Sequence, residues 1–257
     1  MMTDISDFLE WWLAKPRLSL RSQGILDGYY GNYRKRFDGY IKAAFADRHR
    51  ELNQISLPKD ARVLDVGCGT GTVALYVAYK TKAKVLGIDI DADRLDCAKE
   101  RRDVWSLPKC TFLLRNIINL DGPNKFDLIY LEEALHHMEP RAEAVRKIAD
   151  LLRPGGKLII SEVNALNPLM QLRLFRQRGL KTITTKHGVP YGNERVLTAG
   201  RAIKLFKAEG LSLESKRYFR VFPAGKGNMQ LDKALVKLPV SRLFTVHYNL
   251  VMTKDGL

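Results

Sequence analysis

A glycine-rich turn after an apolar strand constrains this chain more than any other stretch. Residues 63–72 read Val-Leu-Asp-Val-Gly-Cys-Gly-Thr-Gly-Thr, which predicts a buried strand, a turn and the start of a helix. Gly67, Gly69 and Gly71 permit backbone angles that other residues rarely adopt and let a bound group approach the backbone closely. The helix that follows presents its first N–H groups to the same place. We interpret this segment as a ligand-binding loop.

A second acidic residue supports that interpretation. Residues 84–89 form a short apolar run that ends on Asp89, and a carboxylate there can accept hydrogen bonds from both hydroxyls of a ribose. The third glycine of the loop comes one position earlier than in the dinucleotide-binding fingerprint. The glycine loop and Asp89 together therefore predict a site that binds a nucleoside but differs from the dinucleotide-binding site.

With Asp65 included, the loop has the pattern DxGxGxG, which resembles motif I of the class I S-adenosylmethionine-dependent methyltransferases. Residues 126–138 resemble motif IV of the same family, and residues 151–160 resemble the segment that precedes and forms its fifth strand. These matches are specific for the family and say almost nothing about the substrate.

Beyond residue 60, short apolar runs alternate with helical stretches, a pattern that predicts parallel strands joined by crossover helices. Strands are expected near residues 62–66, 84–89, 110–114, 126–131, 156–162, 213–222 and 243–253. Helices are expected at residues 72–80, 91–102, 140–152, 196–208 and 229–238, and Pro154-Gly155-Gly156 should separate the third of them from the fifth strand. The resemblance implies a Rossmann-like α/β fold with a seven-stranded, mostly parallel sheet, helices on both faces and an antiparallel hairpin at the edge.

We divide the chain into an N-terminal helical lid, residues 1–60, and a methyltransferase domain, residues 61–257. Two or three helices are expected in the first part, whose many aromatic residues either pack on the main domain or close over a ligand. The domain carries two cap insertions beyond the minimal pattern, at residues 164–194 and 223–242.

The resemblance implies S-adenosylmethionine as the cofactor and S-adenosylhomocysteine as its product. The residues implied for cofactor binding follow the first four strands: Asp65, Gly67, Cys68, Gly69, Gly71, Asp89, Ile90, Asn116, Ile117 and Leu131. Asp89 would bind the ribose, Ile90 and Ile117 would sandwich the adenine, and Leu131 would offer its backbone to the methionyl amine. Asn116 stands where many members of the family have an aspartate, and its amide oxygen can accept the same hydrogen bond from the adenine amino group.

Methyl transfer from a sulfonium needs binding, alignment and exclusion of water more than catalytic groups. A general base would help with an oxygen or acidic carbon acceptor, and our candidates are His137 and Glu133, with His136, His187 and Tyr191 as further options. The residues expected to line the substrate pocket are Tyr33, Glu132, Glu162, Asn164, His187 and Tyr191. The three cysteines have no metal-type spacing, so free thiols and no metal are expected.

The net charge of +15 is concentrated in the last third of the chain, since residues 161–257 carry 17 Lys and Arg against six Asp and Glu. Three classes of function are therefore compared. We favour O- or C-methylation of a small, apolar or lipid-like acceptor, with the insertion at 164–194 either capping the acceptor or contacting an anionic membrane. The alternative is an RNA methyltransferase that uses the basic third, although motif IV lacks the (Asn/Asp)-Pro-Pro-(Tyr/Phe) sequence of base-amine enzymes and there is no Pro-Cys nucleophile. The third class is a binding module without transfer activity.

The sequence has no run of 18 apolar residues and begins with an acidic segment rather than a basic and then apolar one. We therefore expect a cytoplasmic protein, with peripheral contact to a membrane as the further expectation.

Overall fold

A seven-stranded sheet organises the chain. The computed structural model describes residues 17–34, 39–122, 125–169, 171–172, 196–222 and 229–256. The strands are β1 Arg62–Val66, β2 Lys84–Asp89, β3 Cys110–Leu114, β4 Phe126–Glu132, β5 Leu152–Val163, β6 Leu211–Phe219 and β7 His247–Lys254.

The strand order is β3-β2-β1-β4-β5-β7-β6. Strands β1 to β5 are mutually parallel, whereas β7 runs antiparallel to both β5 and β6. The predicted Rossmann-like sheet with an antiparallel edge hairpin is thus confirmed. Because the order reverses between β1 and β4, the carboxyl ends of these two strands flank the crevice in which open α/β sheets bind their ligands.

Helices cover both faces of the sheet. They are α1 Leu20–Arg34, α2 Gly39–Arg48, α3 Arg50–Gln54, α4 Thr72–Thr81, α5 Ala92–Val104, α6 Arg141–Leu151, α7 Ala199–Ala208 and α8 Met229–Val236. Successive side chains of β1 and β4 point to opposite faces of the sheet and so belong to two hydrophobic cores. Leu64 and Leu131 pack with α6 and α7, whereas Val63 and Tyr130 pack with α4 and α5. None of the helices within the described residues is long and apolar enough to cross a membrane.

The start of β5 differs from the prediction. Helix α6 ends at Leu151 and β5 begins directly at Leu152, so Pro154-Gly155-Gly156 lies inside the strand rather than before it. The register shifts in this region, where Phe126 pairs with Leu152 but Leu128 pairs with Lys157. Gly155 has a φ of +72°, and a Cβ on Gly156 would lie 2.8 Å from the carbonyl oxygen of Arg153. Glycine therefore permits an irregular strand here. The helix ends within one residue of the predicted position, whereas the prediction that Pro154-Gly155-Gly156 precedes the strand was wrong.

Two later boundaries also moved. Helix α7 begins at Ala199 instead of residue 196, because Thr198 caps it by accepting a hydrogen bond from the backbone N–H of Arg201 at 3.2 Å. Strand β7 begins at His247 instead of residue 243, because Ser241–Leu243 forms a 3₁₀ turn.

The described N-terminal helices pack against the rest of the chain. Helix α1 lies on α5, where the hydroxyl of Ser19 donates to Oε2 of Glu100 at 2.8 Å and Leu26 is buried. Near the end of α3, Asn53 accepts a hydrogen bond from the hydroxyl of Tyr76 at 2.7 Å. This favours packing on the main domain for these helices, while the division at residue 60 stays a prediction.

Candidate active site

The glycine loop has the geometry that its sequence indicates. Gly67, Gly69 and Gly71 have φ values of +71°, +52° and +77°. The N–H of Gly67 donates to the carbonyl of Ile88 at 2.8 Å, which ties the loop to β2. A Cβ on Gly67 would lie 2.7 Å from Cβ of Ala134, the second residue after β4. Both conformation and space therefore require glycine at this point, where the loop meets the exit of β4.

Asp89 is oriented by two backbone donors at the end of β2. Its Oδ2 accepts from the N–H of Gly69 at 2.7 Å and its Oδ1 from the N–H of Asp91 at 2.9 Å. A carboxylate has about four acceptor sites, so this half-buried group retains capacity for hydroxyl donors. The neighbouring side chain of Ile90 is 76% exposed. An acceptor beside an exposed apolar side chain fits a ribose that carries a flat base.

The residues that follow β3 match the predicted adenine contacts only in part. Asn116 is exposed, and its Oδ1 accepts from the N–H of Ile118 at 3.1 Å, which caps a 3₁₀ turn. The side chain of Ile117 packs in the hydrophobic core. Of the predicted pair around adenine, only Ile90 presents an apolar surface to solvent.

Asp65 lies beneath the loop and is almost completely buried. Its Oδ2 accepts from the N–H of Ala74 at 3.0 Å. Burial, together with the negative charge of Glu132, raises the pKa of Asp65 to about 8. Burial also raises the pKa of the Cys68 thiol well above its usual value. Both groups are therefore largely protonated at neutral pH, and the floor of the loop carries little charge.

Arg101, which the sequence did not single out, supports the loop through hydrogen bonds from α5. This fully buried residue of α5 donates through Nη1 to the carbonyl of Thr70 at 2.6 Å, to the hydroxyl of Thr70 at 2.9 Å and to that of Thr72 at 3.1 Å. In the sequence it stands beside Arg102 in a charged helix, and nothing distinguishes the two. Charge-assisted hydrogen bonds of this kind fix the turn between the glycines and α4.

At the exit of β4 five side chains form what we call the edge cluster: Arg48, His49, Glu132, Glu133 and His247. Arg48 donates to Glu132 through Nη1 and to Glu133 through Nη2, both at 2.8 Å. Nε2 of His49 lies 3.0 Å from Oε2 of Glu132, and Nε2 of His247 lies 2.8 Å from Oε1 of Glu133. Glu133 has a φ of +48°, a strained conformation of the kind found at functional sites.

The charges of the edge cluster decide what its members can do. Burial opposes ionisation of Glu132, but His49 and Arg48 outweigh it and lower its pKa to about 2. Partial burial is likewise outweighed at Glu133, where Arg48 and the hydrogen bond with His247 hold the pKa well below its usual range. Burial and the charge of Arg48 lower the pKa of His247 to about 3, so that ring is neutral. Carboxylates with such low pKa values are weak bases, which argues against the catalytic role predicted for Glu133.

Two neighbouring histidines follow β4 and differ in their surroundings. Nδ1 of His136 lies 2.6 Å from Oε2 of Glu162 on β5, and Oε1 of Glu162 accepts from the N–H of Leu135 at 2.7 Å. Both side chains of this pair are buried, whereas His137 is exposed. A carboxylate at Nδ1 holds the imidazole in one orientation and leaves the basic lone pair on Nε2. The arrangement can take up a proton, and it favours His136 over the predicted His137.

The other predicted site residues fall into two groups. Leu131 and Asn164 are buried, and Nδ2 of Asn164 donates to the carbonyls of Arg242 at 2.8 Å and Thr245 at 3.0 Å. Asn164 thus ties the segment after β5 to the segment before β7. His187 and Tyr191 lie outside the described residues, as does the side chain of Tyr33.

Comparisons with known proteins agree with this geometry. A family model described as a methyltransferase domain matches residues 57–208. Methyltransferase GfsG of Streptomyces halstedii is 32% identical over 132 residues, which are 51% of this chain and 48% of that protein. O-methyltransferase rstn1 of Aspergillus nomiae is 32% identical over 126 residues, 48% of this chain and 56% of that protein. The chain thus spans about half the length of the curated relatives it matches.

Among solved structures, the [4+2]-cyclase SpnF is similar with a TM-score of 0.60 at 21% sequence identity, over 83% of each chain. At that identity the similarity concerns the fold alone.

Proposed function

The chain belongs to the class I S-adenosylmethionine-dependent methyltransferases, and on this premise we propose that it methylates a hydroxyl oxygen of a small, largely apolar acceptor. S-adenosylmethionine supplies, when bound, an electrophilic methyl group on a sulfonium. The observation that carries the proposal is the buried pair of His136 and Glu162, joined at 2.6 Å. Ala134, two residues before His136, is the residue that a Cβ on Gly67 would touch. The pair therefore adjoins the glycine loop.

We propose the following cofactor contacts, which the geometry of the loop supports. The backbone of Gly67 to Gly71 would lie along the methionyl part, with Leu131 offering its backbone to the amine and Asp65 beneath them. Asp89, held by Gly69 and Asp91, would accept from the ribose hydroxyls. Ile90 and Asn116 would contact the adenine.

His136 would act as the general base. Its Nε2 would take the proton of the acceptor hydroxyl while that oxygen bonds to the methyl carbon, and the electron pair of the broken C–S bond would stay on the sulfur of S-adenosylhomocysteine. Glu162 would stabilise the imidazolium formed in this step. General bases of this kind contribute about 10²–10⁴-fold to a rate.

Three observations support a small acceptor with a hydroxyl group. The name of the relative rstn1 specifies an O-methyltransferase. Both carboxylates of the edge cluster are paired with Arg48, so this part of the edge offers no unpaired negative charge to a cationic acceptor. Leucine side chains are exposed in the segment that follows β5. The basic last third supports the alternative acceptor, RNA.

The two histidines provide a matched test. Each is replaced by glutamine, and transfer of isotope-labelled methyl groups from S-adenosylmethionine is measured to a panel of apolar phenols and secondary alcohols and, separately, to total RNA. We expect the label in the organic extract. The transfer rate should fall by about 100-fold or more in His136→Gln and change little in His137→Gln. Both variants should keep the same affinity for the cofactor. Equal losses in the two variants would contradict the assigned base, and label recovered only in RNA would favour the alternative.

A further inference from the structure

Exposed apolar side chains are concentrated in two short segments near the end of β5 and before β7. Of 13 large apolar side chains that are exposed among the described residues, eight lie between residues 166 and 172 or between 231 and 244. The first segment contributes Leu166, Leu169 and Leu172, with exposures of 37–68%. The second contributes Leu231, Leu238, Val240, Leu243 and Phe244. We call these eight residues the apolar platform.

Two buried asparagines join the two segments. Nδ2 of Asn164 donates to the carbonyl of Arg242 at 2.8 Å, and Nδ2 of Asn167 donates to the carbonyl of Phe244 at 2.8 Å. Their side-chain oxygens accept from the N–H groups of Leu166 at 3.1 Å and Leu169 at 2.9 Å. The loops that carry the leucines therefore have fixed backbones and are neighbours. The backbone around Leu166 and Leu169 is thereby joined to the backbone of Arg242 and Phe244.

All exposed charged side chains of the second segment are basic. Lys233, Lys237 and Arg242 are exposed. Asp232 is the one acidic residue between 229 and 245, and it is buried with its Oδ1 accepting from the N–H of Val221. Exposed leucines thus alternate with basic side chains, and no exposed carboxylate lies between them in the sequence.

We infer that the apolar platform and its three basic residues bind an anionic lipid bilayer. The interface of such a bilayer takes up apolar side chains while its headgroups attract lysine and arginine. Nucleic acid would match the basic residues but leave the leucines against a polar backbone. A second copy paired through the same face would bring like charges together. A concentration of exposed apolar side chains of this kind marks an interaction site, and an anionic bilayer is the partner that satisfies both the apolar and the basic residues.

This inference goes beyond the proposed reaction and is tested without cofactor or acceptor. The full chain is sedimented with vesicles of phosphatidylcholine, and with vesicles that also contain phosphatidylglycerol. The charge variant is Lys233→Gln with Lys237→Gln and Arg242→Gln. Its matched control is Arg201→Gln with Lys204→Gln and Lys207→Gln, which removes the same charge from exposed positions on α7. A third variant, Leu238→Gln with Val240→Gln, removes apolar surface and keeps the charge.

We expect the wild type to sediment with the anionic vesicles and not with the neutral ones. The charge variant should bind at least about tenfold more weakly, since each basic residue near an anionic surface contributes roughly fivefold. The apolar variant should also bind more weakly, and the control should lose much less than the charge variant. Absence of wild-type binding, or an equal loss in control and charge variant, would overturn the inference. So would a dimer seen by light scattering that becomes a monomer in the apolar variant, because the partner would then be a second copy. Far-ultraviolet circular dichroism checks that every variant is folded.

Discussion

Replacing Arg48 by methionine should loosen the contact between the N-terminal helices and the sheet. Arg48 ends α2 and donates to both carboxylates at the exit of β4. Methionine keeps much of the side-chain volume but removes the charge and all five N–H donors. Glu132 would keep its contact with His49, and Glu133 would keep only that with His247.

The magnitude follows from the exposure of each pair. A hydrogen bond between charged groups contributes about 1.5–3 kcal/mol when it is well shielded, which applies to Arg48 and Glu132. The side chain of Glu133 is 40% exposed, so its pair with Arg48 contributes no more than about 1 kcal/mol. The expected loss is therefore about 1.5–4 kcal/mol, a large part of the roughly 5–15 kcal/mol that stabilises a typical domain.

The low pKa of Glu132 gives this prediction a second readout. The folded value is about 2 and the ordinary value is 4.5, so the ionised form is favoured by folding. Its contribution is complete above the ordinary pKa and is lost as the pH falls toward the folded pKa. Without Arg48 the folded pKa should rise. The difference in stability between variant and wild type should then shrink as the solution is acidified through this range.

Chemical denaturation measures both effects, with Arg50→Met as the control. Arg50 is the second residue after Arg48, is 48% exposed and pairs at 2.7 Å with Asp47, three residues earlier in the chain, a contact that contributes about 0.3–0.5 kcal/mol. If the two variants differ by less than about 0.5 kcal/mol, the size of an ordinary surface substitution, the edge cluster does not hold the helices and the reasoning fails.

Two further predictions concern the glycine loop, and Gly155→Ala near the start of β5 is the control for the first of them. Gly155→Ala, at a φ of +72° with no atom within 4 Å of the new Cβ, should cost about 1–2 kcal/mol of stability through backbone strain and leave cofactor affinity unchanged. Gly67→Ala, at a φ of +71° and 2.7 Å from Ala134, should cost at least as much and also weaken cofactor binding severalfold; equal affinities in calorimetry would show that the loop does not bind the cofactor. Because Asp65 has a pKa of about 8 when folded and 3.8 ordinarily, the native state keeps a proton that the unfolded state releases, so its contribution to stability falls as the pH rises between these values. Binding of the cationic cofactor near Asp65 should expel that proton at neutral pH, which calorimetry detects as a binding enthalpy that depends on the ionisation enthalpy of the buffer. A binding enthalpy that is the same in all buffers would contradict this prediction. So would an unchanged proton release in Asp65→Asn.

The parts of the fold that sequence predicted well are those fixed by neighbouring residues. Strands β1, β2 and β3 match the expected ranges, because each is an apolar run bounded by a glycine, an acidic residue or a proline turn. The start of β5 was missed because Pro154-Gly155-Gly156 has the local composition of a helix stop. The segment lies inside the strand because the residues that flank it, Leu152 and Lys157, pair with Phe126 and Leu128 on β4. That pairing is not encoded nearby in the chain.

The same distinction applies to the site. Asp89 and the three loop glycines stand where the motif predicted them, since the loop and the following strand place them together. Arg48 and His247 are far apart in the sequence and meet only when the end of α2 and the start of β7 come together in the fold, so neither carried a signal in the sequence. His136 and His137 are adjacent and chemically identical, and what separates them is set by the fold: His136 is buried against Glu162, whereas His137 is exposed.

The assignment of the cofactor to the glycine loop and Asp89 is tested most directly by comparing the affinity for S-adenosylmethionine of the wild type with that of Asp89→Ala. Asp93→Ala, which removes an exposed carboxylate from the first turn of α5, is the control. Calorimetry should give the wild type and the control the same affinity, and Asp89→Ala an affinity lower by at least about 1 kcal/mol, or roughly fivefold, through loss of charge-assisted hydrogen bonds to ribose. A folded Asp89→Ala variant that binds S-adenosylmethionine as tightly as the wild type would contradict the assignment of the cofactor to this loop.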